Sequence, residues 1–150
     1  MEPYFSKDFQ DWILDSIPLL RAMELKFDHY TPGELIMSCP LAPNINDKGT
    51  GFGGSIGTLA TICGWTFTMI EARATEPEAE ALVAEHHMKF LTPATGDLIA
   101  VCKATVPDSF QQKLASKRVA KLELSIDIQS GGKIVATFNG IYVARRSSAS

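Results

Sequence analysis

Apolar and polar residues alternate strictly over residues 120–129, where Ala120, Leu122, Leu124, Ile126 and Ile128 are separated by Lys121, Glu123, Ser125, Asp127 and Gln129. Successive strand side chains point to opposite faces, so this period of two predicts a strand with one buried and one solvated side. Gly131-Gly132 then predicts a tight turn into a second strand over 134–144, which makes a hairpin. The same alternation marks two strands around residues 23–28 and 35–41, joined by the turn signal Thr31-Pro32-Gly33. Leu82, Ala84, His86, Met88 and Phe90 predict a further strand face, with Val83, Glu85, His87 and Lys89 on the other. Residues 97–106 are more continuously apolar and also read as a strand. Residues 107–117 read as a long polar connection, and Glu76, Glu78 and Glu80 as a solvated one.

Helical spacing appears twice. Ser6 is placed to cap a helix carrying Phe9, Trp12, Ile13 and Ile17, which Pro18 ends or bends. The second helix runs from the glycine-rich segment 46–55 (Asn-Asp-Lys-Gly-Thr-Gly-Phe-Gly-Gly-Ser) to about Arg73. Ile56, Leu59, Ile62, Cys63, Phe67 and Ile70 form its broad apolar face, while Gly57, Ala60, Thr61 and Gly64 keep another side small. No charge lies on any side before Glu71, so the helix is expected to be surrounded by protein. The sum is an α+β chain with a mainly antiparallel sheet and one buried helix. One helix covers one face of a sheet, so oligomerisation is expected to cover the rest.

The amino end of that buried helix is the informative chemistry. Its first N–H groups lack intrahelical partners and carry the positive pole of the helix dipole. A carbonyl oxygen acquiring negative charge is stabilised there, and glycines let a ligand approach the backbone closely. Asp47 is the only carboxylate in the segment.

Composition narrows the classes. The chain has 150 residues and a formal net charge of -3, with basic residues scattered, which argues against nucleic acid or an anionic membrane as partner. Its length predicts one domain spanning 1–150. Three cysteines (Cys39, Cys63 and Cys102) sit in apolar surroundings without metal-ligand spacing and read as buried reduced thiols in a cytoplasmic protein. The run from 49 to 70 is long enough for a bilayer, but six glycines and five threonines favour a core helix of a soluble protein. Glu2, Lys7 and Asp8 do not suit a signal peptide, and the serine-rich tail 147–150 is expected to fray.

Rival site readings are weaker. Gly49-x-Gly51-x-x-Gly54 fits a dinucleotide fingerprint, but Pro43 to Lys48 separate it from the preceding strand, whereas that turn is tight. His86 shares the apolar register of its strand and reads as a core histidine, while His87 falls on the polar face. Adjacent strand residues point apart, so the pair cannot chelate one metal. Ser55 lacks the strained elbow of a nucleophilic serine. Asn46 could hold water or form an Asx turn. Asp47 could act as a base or be merely solvated. Thr61 could position water or bond back to the preceding turn.

The segment resembles hotdog-fold thioesterases of the phenylacetate-pathway type, which carry Asn-x-x-Gly-x-x-His-Gly-Gly and an acidic residue seven positions after the second glycine. Asn46, Gly49, Gly53 and Gly54 match in register, while Phe52 stands in place of the histidine and Thr61 in place of the acid. Thr92-Pro93 resembles the Ser/Thr-Pro that closes the strand after the central helix. The run 46–55 is most similar to the YiiD-type thioesterase domain, which occurs alone or attached to an acetyltransferase domain; no acetyltransferase half fits here. The resemblance covers nearly the whole chain. It implies a hotdog fold, with the sheet wrapped around the helix and ligands bound between subunits of a homodimer or dimer of dimers.

The activity implied is hydrolysis of an acyl-CoA or acyl-carrier-protein thioester without metal or cofactor. Gly53 and Gly54 would stabilise the oxyanion, and Asn46 with Asp47 or Thr61 would hold and activate water. Phe52, Ser55 and Thr92 are expected to line the substrate site. The alternative is a non-catalytic acyl-CoA or acyl-carrier binder, which keeps the pocket without the base. A hotdog dehydratase needs a histidine and an acid across the site, and Phe52 argues against it.

Overall fold

The computed structural model describes residues 5–147. Helix α1 (Lys7–Ser16) starts where Ser6 accepts a hydrogen bond from the Phe9 N–H, and α2 (Pro18–Ala22) opens on a proline at its first position. Strands β1 (Lys26–Thr31) and β2 (Glu34–Cys39) form the first hairpin. Gly33 turns it at φ +85°, a backbone region that side chains disfavour. The central helix α3 (Gly53–Arg73) is followed by β3 (Ala79–Phe90) and β4 (Leu98–Lys103). A further helix, α4 (Asp108–Ala115), precedes the hairpin of β5 (Ala120–Ser130) and β6 (Lys133–Arg146).

All pairings are antiparallel in one six-stranded sheet of order β1-β2-β4-β5-β6-β3. The α+β architecture expected from the sequence is therefore observed. Helix α3 lies against one face, where Leu59, Cys63, Phe67 and Ile70 pack with Leu35, Met37, Leu98, Cys102, Leu124 and Phe138 in a common core. Two hydrogen bonds tie the helix to the sheet's far edge. Trp65 Nε1 donates to the Ala81 carbonyl (2.8 Å), and the Tyr142 hydroxyl donates to the Thr61 carbonyl (2.8 Å). No helix among the described residues is long and apolar enough to cross a membrane.

Several expectations need correction. Residues 107–117 hold α4, whose Phe110 and Leu114, four apart, bury one face although the rest is polar. Glu80 belongs to β3 and pairs with Arg145 (2.9 Å), and Glu78 pairs with Arg146 (3.4 Å), so the acidic run fastens β3 to the end of β6. On the second face of the sheet Lys121, Glu123, Ser125 and Asp127 are exposed beside half-exposed Ile99, Val101, Ile141 and Val143, and Leu82, Val83 and Phe90 are exposed along the free edge at β3. Glu2 and residues 148–150 of the tail lie outside the described residues.

The core predicts an alkaline limit to stability. Burial, with Asp97 nearby, pushes the Cys39 thiol up to about 12 from 9.0, and burial, with Glu71, does the same for Cys102. Burial raises Cys63 and Tyr142 as well. The folded chain keeps these protons where the unfolded chain releases them, so stability is complete below pH 9 and falls as pH rises from there towards 12. Thermal unfolding between pH 8 and 11 should show Tm nearly level to about pH 9 and declining steadily beyond.

Candidate functional site

Asn46 organises the glycine-rich loop. Its Oδ1 accepts from the backbone N–H of Lys48 (2.8 Å) and Thr50 (3.1 Å), and its Nδ2 donates to Thr50 Oγ1 (3.0 Å) and the Gly51 carbonyl (3.3 Å). Gly49 completes the turn at φ +75°. Ile45 then bridges Gly51, the Gly51 N–H donates to the Ala94 carbonyl (2.8 Å) and the Phe52 N–H to the Asn44 carbonyl (2.8 Å). These bonds aim the chain into α3.

The amino end of α3 differs from that of α1. Phe52 occupies the N-cap with extended backbone and provides no side-chain acceptor, and no acidic residue stands in the first turn. In α1 both devices are present, Ser6 and Asp8. The N–H groups of Gly53, Gly54 and Ser55 thus meet no capping side chain at the head of a 21-residue helix whose dipole they terminate. Such donors are suited to an oxygen bearing negative charge.

Two clefts flank this turn. One, of about 330 Å³, is walled by Gly54, Gly57, Thr58 and Thr61 on α3, by Ile17 and Leu20 from the α1–α2 junction, and by His86 on β3. The second, of about 400 Å³, includes Lys48, Thr50, Gly53, Phe90 and Thr92. Hydroxyls in the first are oriented: Thr61 Oγ1 donates to the Gly57 carbonyl (2.8 Å) and Thr58 Oγ1 to the Gly54 carbonyl (2.8 Å). Each oxygen keeps lone pairs that can accept from water. A larger hollow of about 580 Å³ at the β1–β2 turn is polar and open, and its Glu34 is already paired with Lys103 (3.4 Å).

The sequence-derived candidates therefore divide. Gly53, Gly54 and Thr61 converge on the amino half of α3, with Thr92 across the second cleft. Phe52 is 53% exposed, and its ring covers Gly54 so closely that a Cβ there would stand 2.5 Å from it. Ser55 is half-buried in the first turn. Asn46 borders the second cleft, but its amide is engaged within the loop. Asp47 faces away: its side chain is 81% exposed, pairs with Lys48 (3.1 Å) and lines neither cleft.

His86 is a correction. It is exposed rather than in the core, its ring stacked on Phe138 with centroids 5.3 Å apart. It keeps the register expected for it, opposite the buried Gly140 as Met88 is opposite Phe138, but β3 is an edge strand and the core does not close over it; the bulge between Val83 and Glu85 instead turns Leu82 and Val83 to the faces opposite to those expected. No residue in that stretch marks the bulge, because Ala84 suits either side of a strand. His87 stands opposite Asn139 on the outer face, as its alternation predicts. Cys39, Cys63 and Cys102 are buried with raised thiol values and supply no thiolate nucleophile.

The chain matches the family model described as "Putative thioesterase (yiiD_Cterm)" over residues 6–146. Among solved structures it is similar to a "putative thioesterase" from Shewanella oneidensis, 33% identical over 91% of this chain and 93% of that one, with a TM-score of 0.82. A protein of unknown function from Chlorobaculum tepidum is 28% identical over 94% of both chains, with a TM-score of 0.85. A thioesterase from Haemophilus influenzae shares the fold at 11% identity, with a TM-score of 0.75 over 97% of this chain and 94% of that one.

Proposed function

This chain belongs to the YiiD C-terminal thioesterase family, and from that premise we propose that it hydrolyses an acyl-CoA or acyl-carrier-protein thioester at the amino end of α3. The observation that carries this reading is an uncapped helix head set between two clefts of unlike character. The acyl group lies in the first, along Ile17, Leu20 and Ile62. The thiol arm leaves through the second, past Thr92 and Lys48. The scissile carbonyl then crosses the first turn, where the N–H groups of Gly53 and Gly54 receive its oxygen as charge develops. Thr58 and Thr61 accept hydrogen bonds from the attacking water, Asn46 keeps the loop in shape, and Phe52 and Ser55 wall the turn. Water attacks directly, without an acyl-enzyme.

A homodimer completes the site in this reading. Strand β3 ends the sheet with its outer edge unpaired, and Leu82, Val83 and Phe90 are exposed on it. An unpaired edge of 12 residues that exposes apolar side chains invites a second strand. Edge-to-edge pairing of two copies would continue the sheet and close the first cleft against water. Three buried free cysteines suit a reducing, cytoplasmic setting.

One observation favours the second reading, a non-catalytic acyl-thioester binder: no carboxylate among the described residues lines the cleft beside Gly54. Thiol release from short, medium, long and aromatic acyl-CoA esters separates the two. Turnover that depends on the acyl group is the expected result. Saturable binding with no release from any ester would establish the binder instead.

A further inference from the structure

We propose that His86 is the general base of this site, taking a proton from the attacking water and returning it to the leaving sulfur. The proposal rests on the thioester-hydrolase reading above and supplies the proton carrier that its cleft otherwise lacks. Three independent features of the fold converge on this imidazole.

The first is the bulge. Ala79 and Ala81 enter β3 buried on the helix-facing side, Ala81 opposite Ala144. Unbroken alternation from Ala81 would bring Glu85 and His87 to that side and send His86 outward. The extra residue between Val83 and Glu85 reverses the phase, so His86 stands opposite the buried Gly140 and Met88 opposite the buried Phe138. Bulges on edge strands re-aim side chains in this way. Here the result is a histidine on the wall of the cleft that Gly54, Thr58 and Thr61 form.

The second is the seat of the ring. Gly140 has no side chain, and the Phe138 ring occupies that space: a Cβ on Gly140 would lie 2.7 Å from it. His86 stacks on this ring at an interplanar angle of 22°. Stacking fixes the imidazole plane without using either nitrogen. The third is availability, since among the described residues no hydrogen bond or ion pair engages the imidazole.

Its surroundings are uncharged on the cleft side. Helix α3 presents Gly54, Gly57, Thr58 and Thr61, the α1–α2 junction presents Ile17 and Leu20, and β6 presents Gly140 and Phe138. On its other side His86 also lines the groove around the sheet edge, together with Glu85, His87 and Glu123. Among the described residues, His86 is therefore the one ionisable side chain on the first cleft.

The reaction balances with water alone. The neutral imidazole removes a proton as the water oxygen bonds to the carbonyl carbon, and the oxyanion rests on the N–H groups of Gly53 and Gly54. Collapse of the tetrahedral adduct re-forms the carbonyl and breaks the C–S bond. The imidazolium protonates the departing sulfur. A free acid and a thiol leave, and the imidazole is neutral again.

The test compares wild type, His86→Gln, His86→Ala and His87→Gln on the best acyl-CoA ester of the panel. His86→Gln should lower kcat by about 10²–10⁴-fold with KM little changed. Added imidazole should restore part of the His86→Ala turnover, and His87→Gln should behave as wild type. Active wild type with kcat retained in His86→Gln would overturn the role of His86 and leave the hydrolase reading standing. A loss confined to KM, or one that imidazole does not relieve, would likewise overturn it. A wild type that releases no thiol from any ester would remove the hydrolase reading and this proposal together.

Discussion

Replacing Gly53 by proline is expected to lower kcat by about 10²–10³-fold, the usual effect of removing one oxyanion donor. Proline deletes the N–H of the first helical residue and leaves the rest of the turn in place. The position tolerates it: proline is favoured at the first residue of a helix, where the missing N–H has no intrahelical partner. Phe52 before it is already extended (φ −72°, ψ 128°), which suits a residue preceding proline. A Cβ at Gly53 would touch the Phe90 ring at 3.5 Å, an ordinary contact. Gly53→Ala adds the Cβ and keeps the donor, so it is the control. Steady-state kinetics should show Gly53→Ala near wild type and Gly53→Pro reduced in kcat, with similar Tm in both. Equal activity in the two variants would mean that this donor does not hold the oxyanion.

Gly64→Ala is expected to be the most damaging small change in the core. Gly64 is buried on α3 against Tyr142 of β6, and an added Cβ would stand 2.5 Å from Tyr142 Cζ and closer still to its hydroxyl. The ring is fully buried, and its hydroxyl is anchored on the Thr61 carbonyl (2.8 Å), so it has nowhere to move without leaving a buried phenol unbonded. Overpacking costs about 1–3 kcal/mol and an unsatisfied buried hydroxyl about as much again. The better helix propensity of alanine returns about 1 kcal/mol. A net loss of about 2–4 kcal/mol should lower Tm by roughly 5–15 °C. In a double-mutant cycle, Tyr142→Phe should recover part of that loss, because it removes the atom nearest the new methyl group. Additive losses would place the strain elsewhere.

Where local chemistry decides the structure, the sequence was readable. Ser6 caps α1, Gly33 and the Gly131-Gly132 pair turn their hairpins, and β5 keeps its alternation from Ala120 to Ile128. The glycine-rich loop feeds α3 as expected, because Asn46 and Gly49 specify a turn by their own hydrogen bonds and dihedral angles. What escaped depends on tertiary neighbours. Helix α4 shows only Phe110 and Leu114 on its apolar side, and it is contact with β5 that makes two anchors sufficient. His86 shows the same limit: alternation with Met88 and Phe90 gives its face, but its edge position decides its exposure. Asp47 was the visible carboxylate in the loop, but the turn that Asn46 builds points it at Lys48 and solvent. The backbone donors of the proposed site are thus legible in the sequence, and its proposed ionisable group is not. Donors follow from a local motif, whereas the histidine is brought across the sheet by register.

The most direct measurement is an amide NMR titration with an acyl-CoA analogue that carries a methylene in place of the thioester sulfur. Such an analogue keeps the carbonyl and cannot be cleaved. Large, saturable shifts are expected at the N–H signals of Gly53 and Gly54, with smaller ones at Thr58 and Thr61. Shifts confined to the groove around Glu85, His87 and Glu123, with the first turn of α3 unmoved, would contradict the proposed site.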